Sequence, residues 1–194
     1  MDEKFWEKIN TYGENGEFDK VVREIKKLPE DKLDIELINI LGRSYMNLGD
    51  YENALDTYLS FIGKAKEDVT NADIWIYSEC GWICNEIRDF EQGLKYLLEA
   101  EKLGRDDEWL NTEIGQCLGR LERYEEAIEI LLESRQISID EEDVVDGEDL
   151  ELAHSYLGLG DKDNAQKYLD LARDSILEQG TLNDDIKAEI EEIE

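Results

Sequence analysis

Apolar residues recur along this chain at three- and four-residue spacing, the interval that gathers side chains on one face of an α-helix. The pattern is clearest from Leu37 to Leu59. Ile38, Leu41, Tyr45 and Leu48 share one face, and after Gly49-Asp50-Tyr51 a second stripe follows in Ala54, Leu55, Tyr58 and Leu59. Asp50 stands where its side chain caps the second helix. So short a turn sets the two helices antiparallel. Gly42 lies beside the first stripe; a mid-helix glycine costs up to about 1 kcal/mol against alanine, so it predicts the close approach of another helix. A pair this small cannot bury its apolar faces alone, and further copies are expected.

They are present. The small residue of the first helix recurs as Gly42, Gly81, Gly115 and Ala153, with Ile9 in a degenerate first copy, and that of the second helix as Val21, Ala54, Gly93, Ala127 and Ala165. The two are twelve residues apart in all five copies, whereas successive copies start 33, 39, 34 and 38 residues apart. A fixed internal distance with a variable external one is the signature of hairpin units joined by unequal loops. Tyr12, Tyr45 and Tyr156 recur in the first helices, Phe18, Tyr51, Phe90 and Tyr124 at the turns, and Ile25, Tyr58, Leu97, Leu131 and Leu169 in the second helices.

Leu41-Gly42, Tyr45, the Gly49-Asp50-Tyr51 turn, Ala54 and Tyr58 together resemble one tetratricopeptide repeat. The resemblance spans roughly residues 3 to 180. It implies an all-α fold: a single domain forming a right-handed α-solenoid of antiparallel helix pairs, with units at about 3–30, 34–67, 72–104, 106–138 and 144–180. The chain departs from the family pattern at several places. Pro29 is its one proline, Cys84 and Leu118 replace the tyrosine, Lys162 replaces the turn aromatic, and the first unit lacks the leucine-glycine pair.

Between units, Glu67 to Asn71 reads as a polar link, and the acidic run from Ile139 to Glu151 as an exposed loop entering the last pair. A calcium loop in that run would need oxygen ligands where Val144 and Ala153 stand, so no metal is expected. Leu182, Ile186, Ile190 and Ile193 form a stripe on a helix over 182–193, which would close the open end of the stack.

Charge narrows the function. With 51 acids against 21 bases the formal net charge is −30, which argues against phosphate-mediated nucleic-acid binding and against membrane-surface attachment. The apolar fraction of 41%, regularly spaced, argues against disorder. There is no basic region before an apolar run at the amino terminus and no apolar stretch of the ~20 residues a span requires. Three cysteines without a secretory signal point to a reducing, cytoplasmic setting.

Candidate chemistry is sparse. Cys80 and Cys84, four apart on one helix face, could hold a metal with Cys117, but they fill the leucine and tyrosine core places of the repeat and read as buried structural thiols. His154 is the one histidine and has no nucleophile motif near it; phosphate-cradling loops and paired histidines are missing. The chain is expected to be non-enzymatic and without cofactor or metal.

In this family the first helices line a concave groove. By spacing, the groove-facing places are Trp6, Asn10 and Gly13; Asn39, Arg43 and Met46; Ser78, Trp82 and Asn85; Thr112, Gln116 and Gly119; Leu150, His154 and Leu157. About four acids would fall among these fifteen by chance, and there are none. Trp75, Trp82 and Trp109 offer flat apolar contact, the amides can pair with a ligand main chain, and Arg43 and Arg120 can each receive a carboxylate. The carboxylate clamp of some family members is not reproduced, since Ile40 and Glu79 stand where polar or basic groups would be needed.

The resulting expectation is an interaction module that binds a peptide or protein element, of basic character, in its groove. An alternative is an acidic inhibitor or immunity-type protein that masks a basic surface of its partner. The open end of a stack also offers a surface for self-association.

Overall fold

The computed structural model describes residues 1–62, 69–140 and 146–179, together with Ile190. Among these residues all the longer elements are α-helices, in the order α1 (Glu3–Glu14), α2 (Phe18–Ile25), α3 (Ile35–Asn47), α4 (Tyr51–Leu59), α5 (Val69–Glu86), α6 (Phe90–Lys102), α7 (Glu108–Arg120), α8 (Tyr124–Asp140), α9 (Asp146–Gly158) and α10 (Lys162–Gln179). A 3-10 turn, Glu30–Lys32, follows Pro29.

Aspartates start many of these helices. The side chains of Asp2, Asp34, Asp50, Asp89 and Asp107 each accept a hydrogen bond from a first-turn backbone N–H, which satisfies a donor the helix itself leaves open. Asp161 does the same for α10 through the N–H of Asn164. Part of the acid excess is therefore local structure.

Each pair turns at one register position. Gly16, Gly49, Arg88, Glu122 and Gly160, each seven places after the small residue of its first helix, all have φ between 60° and 78°. Glycine takes this left-handed backbone without strain; Arg88 and Glu122 do not.

Close packing within pairs follows from the small residues. A Cβ on Gly81 or Gly115 would come within 2.5 Å of Leu97 or Leu131 respectively, so these leucines rest directly on the first-helix backbone. Gly93 serves the same purpose in a second helix, where a Cβ would meet Asn85 Oδ1 at 2.7 Å and Cys117 Sγ at 3.2 Å.

The core is divided into two apolar clusters rather than being one continuous body. One gathers α1 to α5, with Ile25, Leu37, Tyr58, Ile76 and Ile83 fully enclosed. The other gathers α6 to α10, with Leu97, Leu110, Leu131 and Leu152 enclosed. The third pair, α5 and α6, spans the division, because α5 contributes to the first cluster and α6 to the second.

From α5 onward successive first helices pack on one another, α5 on α7 and α7 on α9, more closely than successive second helices do. From α5 to α9 the first helices thus lie on the more closely packed, inner side of the stack.

Two sequence expectations change. The Glu67 to Asn71 link is shortened, since α5 begins at Val69. The acidic run is not simply an exposed loop: α8 continues to Asp140, α9 begins at Asp146, and Glu148, Asp149 and Glu151 are buried. Glu148 accepts hydrogen bonds from Ser134 and Ser138, and Asp149 pairs with Arg135 at 2.6 Å. These acids fasten the last pair to α8. Most of the proposed closing helix lies outside the described residues; Ile190 is helical and buried in the second cluster.

Candidate protein-binding face

The residues singled out in the sequence do not all reach the inner surface. Ser78 is 1% exposed and bonds back to the Ile74 carbonyl of its own helix. Thr112 makes an intra-pair contact, its Oγ1 lying 2.9 Å from Ser134 Oγ on α8. Met46 accepts from the Tyr58 hydroxyl within its own pair, at 3.8 Å to sulfur. Trp75 meets Tyr58 edge to face, at 5.3 Å between ring centres, and Trp6 meets Phe5 in the same way. Ser78 is therefore buried, whereas Thr112, Met46, Trp75 and Trp6 are half-buried with part of each side chain taken up by neighbours.

Asn85 is 7% exposed and joins two units. Its Nδ2 donates to the Glu113 carboxylate at 2.7 Å, and its Oδ1 accepts from the Cys117 thiol, also at 2.7 Å. Burial pushes Glu113 up to about 7. Burial likewise raises the thiols of Cys84, to about 11, and Cys117, to about 12, which makes them poor nucleophiles. Among the described residues no group of three or more His, Cys, Asp or Glu side chains is arranged to hold a metal, and no helix is long and apolar enough to cross a membrane.

One row is partly exposed along the first helices. Asn10, Arg43, Trp82, Gln116 and His154, each one place after the small residue of its first helix, are exposed or half-buried and follow one another from unit to unit. Asn39 lies half-buried beside this row, and its enclosed Oδ1 has no hydrogen-bond partner among the described residues. His154 faces the Tyr124 ring at 6.3 Å between ring centres. Trp109 is 36% exposed, with the Arg105 guanidinium 4.3 Å from its ring centre.

The sequence reading missed an acidic row beside it. Glu79, Glu113 and Glu151 stand two places before the small residue, and each reaches back to the preceding first helix. Arg43 lies 3.8 Å from Glu79, Asn85 donates to Glu113, and Gln116 and Arg120 meet Glu151 at 3.0 and 3.4 Å. Carboxylates therefore are present among the first helices, contrary to the count made from the chosen places. Their charge is largely spent internally: burial raises Glu79 as well as Glu113, and the Glu151 side chain is 6% exposed. The register was the available signal, since an acid at this one place recurs in four of five units, as Glu7, Glu79, Glu113 and Glu151.

Comparison with known proteins agrees with this architecture. One tetratricopeptide-repeat model matches residues 37–72, and a second matches 110–138 and 150–172. No curated protein matches the chain. A crystal structure of MamA is 19% identical with a TM-score of 0.73, covering 94% of this chain and 99% of that one. MamA 41-end from Desulfovibrio magneticus RS-1 is 18% identical with a TM-score of 0.73, covering 90% and 94%. A Podosopora anserina putative kinesin light chain with nearly identical TPR-like repeats is 16% identical with a TM-score of 0.65, covering 92% and 96%. At these identities the likeness is one of fold. The chain thus carries tetratricopeptide repeats in three segments of its sequence, within a structure that stacks five helix pairs.

Proposed function

We propose that this protein-interaction module holds a peptide or protein element against the inner row formed by Asn10, Arg43, Trp82, Gln116 and His154. The observation that supports the reading most is the contrast between neighbouring rows. The acids beside this row are engaged with first-helix side chains, Arg43 and Gln116 of the row among them, yet Arg43 keeps 62% of its side chain exposed and Trp82 is half-buried. A partner there would meet an aromatic ring, amides and a guanidinium beside carboxylates that are paired or raised. Such a set recognises main-chain groups and a carboxylate or apolar side chain, while the negative exterior accelerates the approach of a basic partner. The enclosed acceptor of Asn39 is a further group that a bound donor would satisfy.

The alternative, an acidic inhibitor that uses the outer surface itself, draws on the exposed glutamates of α8, Glu125, Glu126, Glu129 and Glu133. Partner binding to Arg43→Ala and Trp82→Ala, compared with charge reversal of outer acids, separates the two. Loss with the first set supports inner-row binding; loss confined to the second overturns it.

A further inference from the structure

The second-helix side of the stack carries a separate cleft. α6 and α8 leave an opening of about 320 Å³ whose floor is α7. Its lining is apolar below and acidic above. Leu94 and Leu98 of α6, Ile114 and Leu118 of α7, and Ile130 of α8 form the apolar part. Glu126, Glu129 and Glu133, spaced along one face of α8, form the rim with Arg123.

The rim is not neutral. Arg123 is already occupied by Glu126 through two hydrogen bonds of 2.7 Å. Glu129 and Glu133 are exposed and make no ion pair or hydrogen bond among the described residues. An apolar slot beside two uncompensated carboxylates selects its occupant by charge as well as shape. An acidic ligand is repelled, and a purely apolar one leaves both carboxylates without a counter-charge.

We infer that this cleft docks an amphipathic helical segment of a partner protein, with one or two leucine-sized side chains in the slot and lysine or arginine against Glu129 and Glu133. The volume suits side chains and not a whole helix, so the segment lies across the mouth. The site lies on the opposite side of the stack from the inner row and does not depend on that reading. A second copy of this chain is disfavoured as occupant by the net charge of −30.

The probe is a fluorescent synthetic helix carrying leucine at i, i+3 and i+4 with lysines flanking them, titrated into the full chain by anisotropy at two salt concentrations. NMR shift mapping locates the contact. Expected are shifts on α6 and α8, affinity falling with salt, and a loss of about tenfold or more in Glu129→Lys/Glu133→Lys. Leu98→Ser also weakens binding, while Arg43→Ala/Trp82→Ala leaves it unchanged. Glu52→Lys/Asp56→Lys, a reversal of two exposed acids on α4, is the control for general attraction. Equal loss with that control, equal binding of a peptide with glutamates in place of its lysines, shifts confined to first helices, or self-association through the cleft would each overturn the proposal.

Discussion

Tyr58 lies so close to Gly42 that a Cβ on the glycine would fall 2.3 Å from ring carbon Cζ. The relationship repeats sixteen residues apart at Gly81 with Leu97 and Gly115 with Leu131. Gly115→Ala is therefore expected to lower unfolding free energy by about 1–3 kcal/mol, since overpacking outweighs the ~1 kcal/mol that alanine gains in helix preference. Gly13 has nothing within 4 Å of its missing Cβ, so Gly13→Ala should be neutral or stabilise by up to about 1 kcal/mol. Urea unfolding followed by circular dichroism measures both, with a loss expected for Gly115→Ala and none for Gly13→Ala.

Arg88 and Glu122 occupy, at φ of 61° and 60°, the turn position that Gly16, Gly49 and Gly160 fill elsewhere. Replacing either by glycine removes the left-handed strain but loosens the unfolded chain. Glu122→Gly and Arg88→Gly are expected to stabilise by about 0.5–1 kcal/mol each, read from thermal and urea unfolding. Gly49→Ala should act in the opposite direction by a similar amount.

Glu113, which accepts from Asn85 and lies near Glu86 and Arg105, links stability to pH. Its ordinary value is 4.5 and the fold raises it to about 7, so the folded state holds the extra proton between those values. Its contribution is fully present below about pH 4.5 and is lost as pH rises through about 7. Glu113→Gln keeps an acceptor for Asn85 but carries no charge. The variant should gain on the parent by up to about 3 kcal/mol between pH 5 and pH 8, measured by urea unfolding at each pH. A constant difference across that range would contradict the burial of this carboxyl group.

The thiols of Cys80, Cys84 and Cys117 are buried and their ionisation is raised mainly by burial. Modification by an aromatic disulfide reagent at pH 8 should therefore be slower in the native chain than in urea by about two orders of magnitude.

The sequence made the repeat architecture legible because one rule, a small residue under a large one on the partner helix, acts locally at Gly42, Gly81 and Gly115. Inner-face chemistry was less legible. Thr112 and Met46 have polar or flexible side chains at places that spacing assigns to the surface, yet Ser134 and Tyr58 of their own pairs take them up. Glu79, Glu113 and Glu151 were not read as one row because their partners come from a preceding unit, and helix periodicity reports nothing about inter-unit distances. The run before Leu150 read as a loop because acids are ordinarily solvated; Ser134, Ser138 and Arg135 supply the partners that let Glu148 and Asp149 enter the interior.

The central claim is that the inner row of first-helix residues carries partner binding. With a partner captured on the full chain and identified by mass spectrometry, its affinity is measured for the parent, for Arg43→Ala/Trp82→Ala and for Glu52→Lys/Asp56→Lys. The account predicts a loss of about tenfold or more for the inner pair and a small, salt-dependent change for the outer pair. Unchanged affinity in Arg43→Ala/Trp82→Ala, with binding abolished by outer charge reversal, would contradict it.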